Sequence, residues 1–171
     1  MPTPPYAPVE EIDLAVVGAQ LGRPPRGVVG VAARCVCGNP TVVATAPRLP
    51  DGTPFPTFYY LTHPEATAEM SRLEADQAMP ELAAALDDPE AAAAYRAAHA
   101  AYLADRARYG DVPEIAGVSA GGMPTRVKCL HALAAHALAA GAGVNPIGDA
   151  ALARSRWSPS RCACASPGEA A

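Results

Sequence analysis

Residues 28–61 read VVGVAARCVCGNPTVVATAPRLPDGTPFPTFYYL, and this stretch decides the fold. Val28 to Cys37 is rich in β-branched residues and predicts a strand. Gly38-Asn39-Pro40 predicts a turn, and Thr41 to Ala46 a second strand. Asp51-Gly52 is a hairpin signal, set in a loop stiffened by Pro47, Pro50, Pro54 and Pro56. Thr57 to Leu61 predicts a third strand carrying aromatic side chains. Three short strands in succession make an antiparallel meander with one face that needs cover.

The flanking sequence supplies helices for that cover. Val9 to Val17 predicts a helix with an acidic first turn, which suits the helix dipole, and Gly22 ends it. Thr62-His63-Pro64-Glu65 has the capping-box spacing and opens a helix to about Ala75. Pro80 to Leu86 predicts a short helix and Pro89 to Tyr109 a long one. A central helix is expected over Gly121 to Ala140, with Pro124 in its first turn, stopped by Gly141 or Gly143. Asn145-Pro146 then predicts a tight, ordered loop. The expected architecture is α+β: a small antiparallel sheet of about three strands packed against several helices in a single domain, residues 9–153. Residues 1–8 are Pro-rich and expected to be disordered. Residues 154–171 are expected to form a flexible tail.

Composition narrows the classes of function. The chain has 171 residues and a formal net charge of −4, with lysine only at Lys128. A general nucleic-acid binder is usually basic, so no nucleic-acid partner is expected. No run of about 20 apolar residues is present, so no membrane insertion is expected. The stretch MPTPPYAPVEEID lacks the basic start and apolar core of a signal peptide, and a cytoplasmic location is the expectation. In that compartment five cysteines point to thiols or metal ligands rather than disulfides.

The chemically versatile side chains concentrate in residues 117–136, GVSAGGMPTRVKCLHALAAH. A helix start leaves four N–H groups without internal partners, and with the helix dipole this makes an anion site. Ser119, Gly121 and Gly122 would shape the approach, and Arg126 and Lys128 would supply cations. Arg48 and Asn145 complete the expected ligand-binding set, and a small phosphorylated or carboxylated molecule is the expected ligand. The plainer reading is an ordinary loop-to-helix junction with solvated cations. His131 is the candidate acid/base, with Asp51 as its carboxylate partner. Set against these roles, His131 can be a boundary residue, and Asp51 before glycine is ordinary turn chemistry.

Further chemistries compete with that one. Cys129 could be a nucleophile, but on a helix it diverges from His131 by about 200°, so its base would be His63 or His99. No cofactor is expected. Zinc is the weaker alternative, with Cys35, Cys37 and Cys129 as ligands if the central helix packs on the first strand, and Cys162 and Cys164 form a second CxC pair near the end of the chain. Tyr95, His99, Tyr102 and Arg106 share one stripe of the long helix, read either as the wall of a ligand cleft or as a face packed on the sheet.

Two blocks carry a family resemblance: PRLPDGTPFPTFYYLTHPE, from Pro47, and GGMPTRVKCLHALAAHALAAGAGVNPIGD, from Gly121. Together they resemble the uncharacterised bacterial domain-of-unknown-function family 501, found mainly in high-GC Gram-positive bacteria. The resemblance runs from about Asp13 to Leu152. It implies no activity, cofactor or catalytic residue, so whether the chain is an enzyme stays open. Genes of that family often lie near those of a septum-formation initiator and an exopolyphosphatase. This implies an alternative role as a non-catalytic interaction protein in cell division or envelope processes, with an unknown protein partner.

Overall fold

The three expected strands form in chain order as β1 (Val28–Arg34), β2 (Pro40–Thr45) and β3 (Tyr59–Leu61). The computed structural model describes residues 4–161 and residue 164. Both strand pairings are antiparallel, in the order β1-β2-β3. Every residue of β2 is buried. A strand's side chains alternate between faces, so complete burial means that β2 is covered on both. Val42 and Ala44, paired with Leu61 and Tyr59, enter the main core. Val43, paired with Tyr60, takes the other face by the pleat of the strand.

Among the described residues six α-helices accompany the sheet: α1 (Glu11–Leu21), α2 (Pro64–Ala75), α3 (Ala78–Ala84), α4 (Pro89–Tyr109), α5 (Leu130–Ala140) and α6 (Pro146–Arg154). The α+β architecture therefore follows the expectation. Leu130, Leu133 and Ala134 of α5 pack in the core with Tyr59, Tyr95 and Tyr102. Helices α5 and α6 cross so closely that a Cβ on Gly148 would come within 2.2 Å of the Leu133 carbonyl oxygen. No helix of the described residues is long and apolar enough to cross a membrane.

The Tyr95–Arg106 stripe of α4 is a hydrogen-bonding seam, and its plainer reading holds. Tyr95 donates to the Arg126 carbonyl at 2.9 Å, and His99 Nδ1 meets Ser119 Oγ at 2.8 Å. The Tyr102 hydroxyl accepts from the Phe58 and Tyr59 amides at 2.6 and 3.2 Å. Arg106 donates to the carbonyls of Pro56 and Ile115, both at 2.9 Å. Buried polar groups find partners in this way, and one helix face thereby holds two loops in place.

Four features differ from expectation. The central helix begins at Leu130, not at Pro124. The Arg126 and Lys128 amides donate to the Gly122 and Gly121 carbonyls at 2.9 and 2.8 Å, closing residues 121–128 into a loop. Gly122 sits there at φ +97°, where a Cβ would meet the Arg126 carbonyl oxygen at 2.5 Å. Second, Asn145-Pro146 is a helix start. Asn145 caps α6 by accepting the Gly148 amide at 2.9 Å, and Pro146 occupies its first turn. Third, the N-terminal segment is held from at least Tyr6, whose ring meets Phe58 at 6.1 Å, while Ala7 pairs with Val31. Fourth, Trp157, inside the expected tail, is buried, and the Val36 amide donates to the Pro159 carbonyl at 2.9 Å.

Candidate functional site

Cys129 is the residue just outside α5, with an extended backbone at φ −149° and ψ 108°. Its side chain is therefore free of the 100° helical step that would turn it away from His131. The Cys129 Sγ lies 4.0 Å from His131 Nδ1. The divergence expected for these two residues fails because the helix starts between them.

Two residues of α2 complete the group. Ser71 and Glu74 are three apart, so they share one face of that helix. Glu74 Oε1 accepts the Leu130 amide at 2.7 Å and lies 3.2 Å from His131 Nδ1. Ser71 Oγ is 3.1 Å from His131 Nε2. One orphan amide of the α5 start, that of Leu130, thus donates to a side chain from within the chain, Glu74.

The charges of the group reinforce one another. His131 lowers the Cys129 thiol below its ordinary range, against the opposing effect of burial. The His131 pKa is raised, chiefly by Cys129 and with a further contribution from Glu74. His131 Nδ1 faces two acceptors, the Cys129 sulfur and a Glu74 oxygen, so that nitrogen carries the proton. The Ser71 hydroxyl donates to Nε2 when the ring is neutral and accepts from it when the ring is charged. A lowered thiol beside a raised imidazole favours the thiolate–imidazolium form, in which cysteine is nucleophilic.

Cys129 and His131 open onto a cleft of about 650 Å³, also lined by Gln20, Tyr60, Thr62 and Thr67. The cleft lies between α2, β3 and the start of α5. Apart from His131 its lining carries no cation. The donor atoms of Glu74, Cys129 and His131 lie within 4.8 Å of one another, so the same three residues could also hold a metal ion.

The structure does not gather the ligand-binding residues expected from the sequence. Arg48 pairs with Glu114 at 2.8 Å and donates to the Gly52 carbonyl at 2.9 Å. Ser119 is buried against His99, and Asn145 is buried as the cap of α6, donating to His136 Nδ1 at 3.1 Å. Gly121 and Gly122 shape the 121–128 loop, and Arg126 and Lys128 are exposed on it. Asp51 accepts the Thr53 amide at 3.0 Å and pairs with Arg26 at 2.5 Å; Thr53 first and Arg26 second hold its carboxyl down at about 2, so it serves the turn rather than His131. Of the expected ligand-binding and acid/base residues, only His131 lines the cleft, beside Cys129, the candidate nucleophile. The expected metal trio also divides: Cys35 and Cys37 cluster with Cys164, while Cys129 belongs with Glu74 and His131. Glu74 and Ser71 carried no sequence signal, since both sit on an unremarked helix face more than 50 residues from His131 in the chain.

Residues 31–153 match the model of a family described as a protein of unknown function, DUF501. No curated protein matches the chain, and no solved structure does.

Proposed function

The chain belongs to the DUF501 family, which bears out the resemblance of its two sequence blocks, and we propose that its cleft binds a small carbonyl-containing molecule that Cys129 attacks. What supports this reading is the approach of Cys129 Sγ to His131 Nδ1 at the mouth of the cleft. In the first step the thiolate sulfur forms a bond to the carbonyl carbon. The carbonyl π pair moves to oxygen, and the His131 Nδ1 proton neutralises it. Glu74 holds the imidazolium charged until that transfer. A carboxylated ligand fits the single cation of the lining better than a polyphosphate, which needs several. A cytoplasmic setting, where thiols stay reduced, completes the reading.

Incubation with p-nitrophenyl acetate tests it. Transfer of the acetyl group to Cys129 should release nitrophenolate in a burst, with the acetyl found on Cys129 by peptide mass spectrometry. Cys129→Ser should abolish the burst, and His131→Asn should slow it strongly. A release unchanged in Cys129→Ser would end the proposal. Addition of a chelator separates the metal alternative, because a bound ion would mask the thiol until removed.

A further inference from the structure

Three sulfurs form a second cluster, made of other cysteines than Cys129. Cys35 directly follows the first strand of the sheet, Cys37 lies in the turn after it, and Cys164 comes from the other end of the chain. Their sulfur atoms all lie within 4.8 Å of one another. Cys35 is buried, at 4% exposure, and Cys37 is exposed. The turn that presents them is tight: the Cys35 amide donates to the Asn39 carbonyl and the Gly38 amide to the Cys35 carbonyl, both at 2.8 Å. The chain that brings Cys164 is anchored on the same turn by the Val36–Pro159 hydrogen bond. Trp157 anchors it a second time, buried with its ring 5.0 Å from that of His63.

We propose that Cys35, Cys37 and Cys164 bind a thiophilic d10 cation, zinc(II) or copper(I), which clamps the chain after Arg154 to the β1–β2 turn. A zinc ion with Zn–S bonds of about 2.3 Å would set the sulfurs about 3.8 Å apart, a contraction of at most about 1 Å from this arrangement. His63 supports the site without being a ligand. Its Nδ1 accepts the Ala66 amide at 3.5 Å, so the neutral ring carries its proton on Nε2. That nitrogen lies 3.2 Å from Cys164 Sγ, where its N–H donates to the sulfur, as outer partners do in metal–thiolate sites. Soft thiolates select zinc and copper(I) over magnesium or calcium. The alternative fate of three adjacent thiols is a disulfide between two of them.

Elemental analysis of the full chain, purified without a histidine tag under reducing conditions, tests this. About one zinc or copper per chain is expected, either as purified or after zinc loading and dialysis. Cys37→Ser, at an exposed turn position, should keep the circular dichroism of the native chain and lose the metal, as should Cys164→Ser. Cys129→Ser should retain it. A metal content near zero after loading, retention of the ion by Cys37→Ser and Cys164→Ser, or a disulfide joining any two of the three would overturn the proposal.

Discussion

Cys129 and His131 are two residues apart, and the first turn of α5 begins between them. Cys129 keeps an extended backbone while His131 already follows the helix. That single offset brings sulfur and imidazole to 4.0 Å and sets both beside Glu74.

Glu74→Gln should keep the fold, because the amide oxygen can still accept from the Leu130 N–H. It removes the negative charge beside His131, however. The His131 pKa is raised partly by Glu74, so its titration midpoint should fall in the variant. Proton NMR of the imidazole reads this, and an unchanged midpoint would remove Glu74 from the electrostatics of the pair.

His136 should make the protein sensitive to acid. It is fully buried, stacked on Tyr59 with centroids 5.8 Å apart and edge-on to Tyr102 at 5.1 Å. Its Nε2 has no hydrogen-bond partner among the described residues. Burial lowers its pKa from 6.5 to about 4. Between those values the unfolded chain binds a proton that the folded chain refuses, so stability falls as pH drops from 6.5 to 4. A shift of that size corresponds to about 3 kcal/mol. Urea denaturation across this range should show a shallower loss in His136→Asn than in the native chain; parallel curves would contradict the assignment.

Tyr102→Phe should cost about 1–3 kcal/mol, because it strands two buried amides, those of Phe58 and Tyr59. Gly148→Ala should cost about 3 kcal/mol through overpacking, since the new methyl meets the Leu133 carbonyl oxygen at 2.2 Å. Thermal melts measure both. A Gly148→Ala protein as stable as the native chain would mean that α5 and α6 separate easily.

Asp51→Ala should leave the reactivity of Cys129 unchanged. Its carboxylate serves Arg26 and the Thr53 amide at an exposed turn. Slower alkylation of Cys129 in this variant would restore Asp51 to the site.

The sheet was legible because its signals are local: β-branched runs, a Gly-Asn-Pro turn and Asp-Gly in a proline-rich loop. The helices from Pro64 and Pro89 were legible for the same reason, with proline in their first turns. Asn145-Pro146 carries the same signal, an asparagine cap followed by proline, and opens α6 in place of the expected loop. The start of α5 was not legible. Pro124 looked like a first-turn proline, but hydrogen bonds from the Arg126 and Lys128 amides back to Gly122 and Gly121 hold that stretch as a loop. A helix running from Pro124 would include Cys129 and turn it from His131. Glu74, Ser71 and Cys164 reach their partners through tertiary packing alone, and no spacing in the sequence encodes that.

The pH dependence of Cys129 alkylation by iodoacetamide tests the central claim most directly, followed residue by residue by mass spectrometry on the folded chain. A free peptide of residues 126–132 serves as the reference, with its thiol titrating near the ordinary cysteine value of about 8.5. The rate on the folded chain should have its inflection at lower pH than the peptide, and His131→Asn should move it back up. An inflection at or above that of the peptide, unmoved by His131→Asn, would show that Cys129 and His131 are neighbours without being a reactive pair.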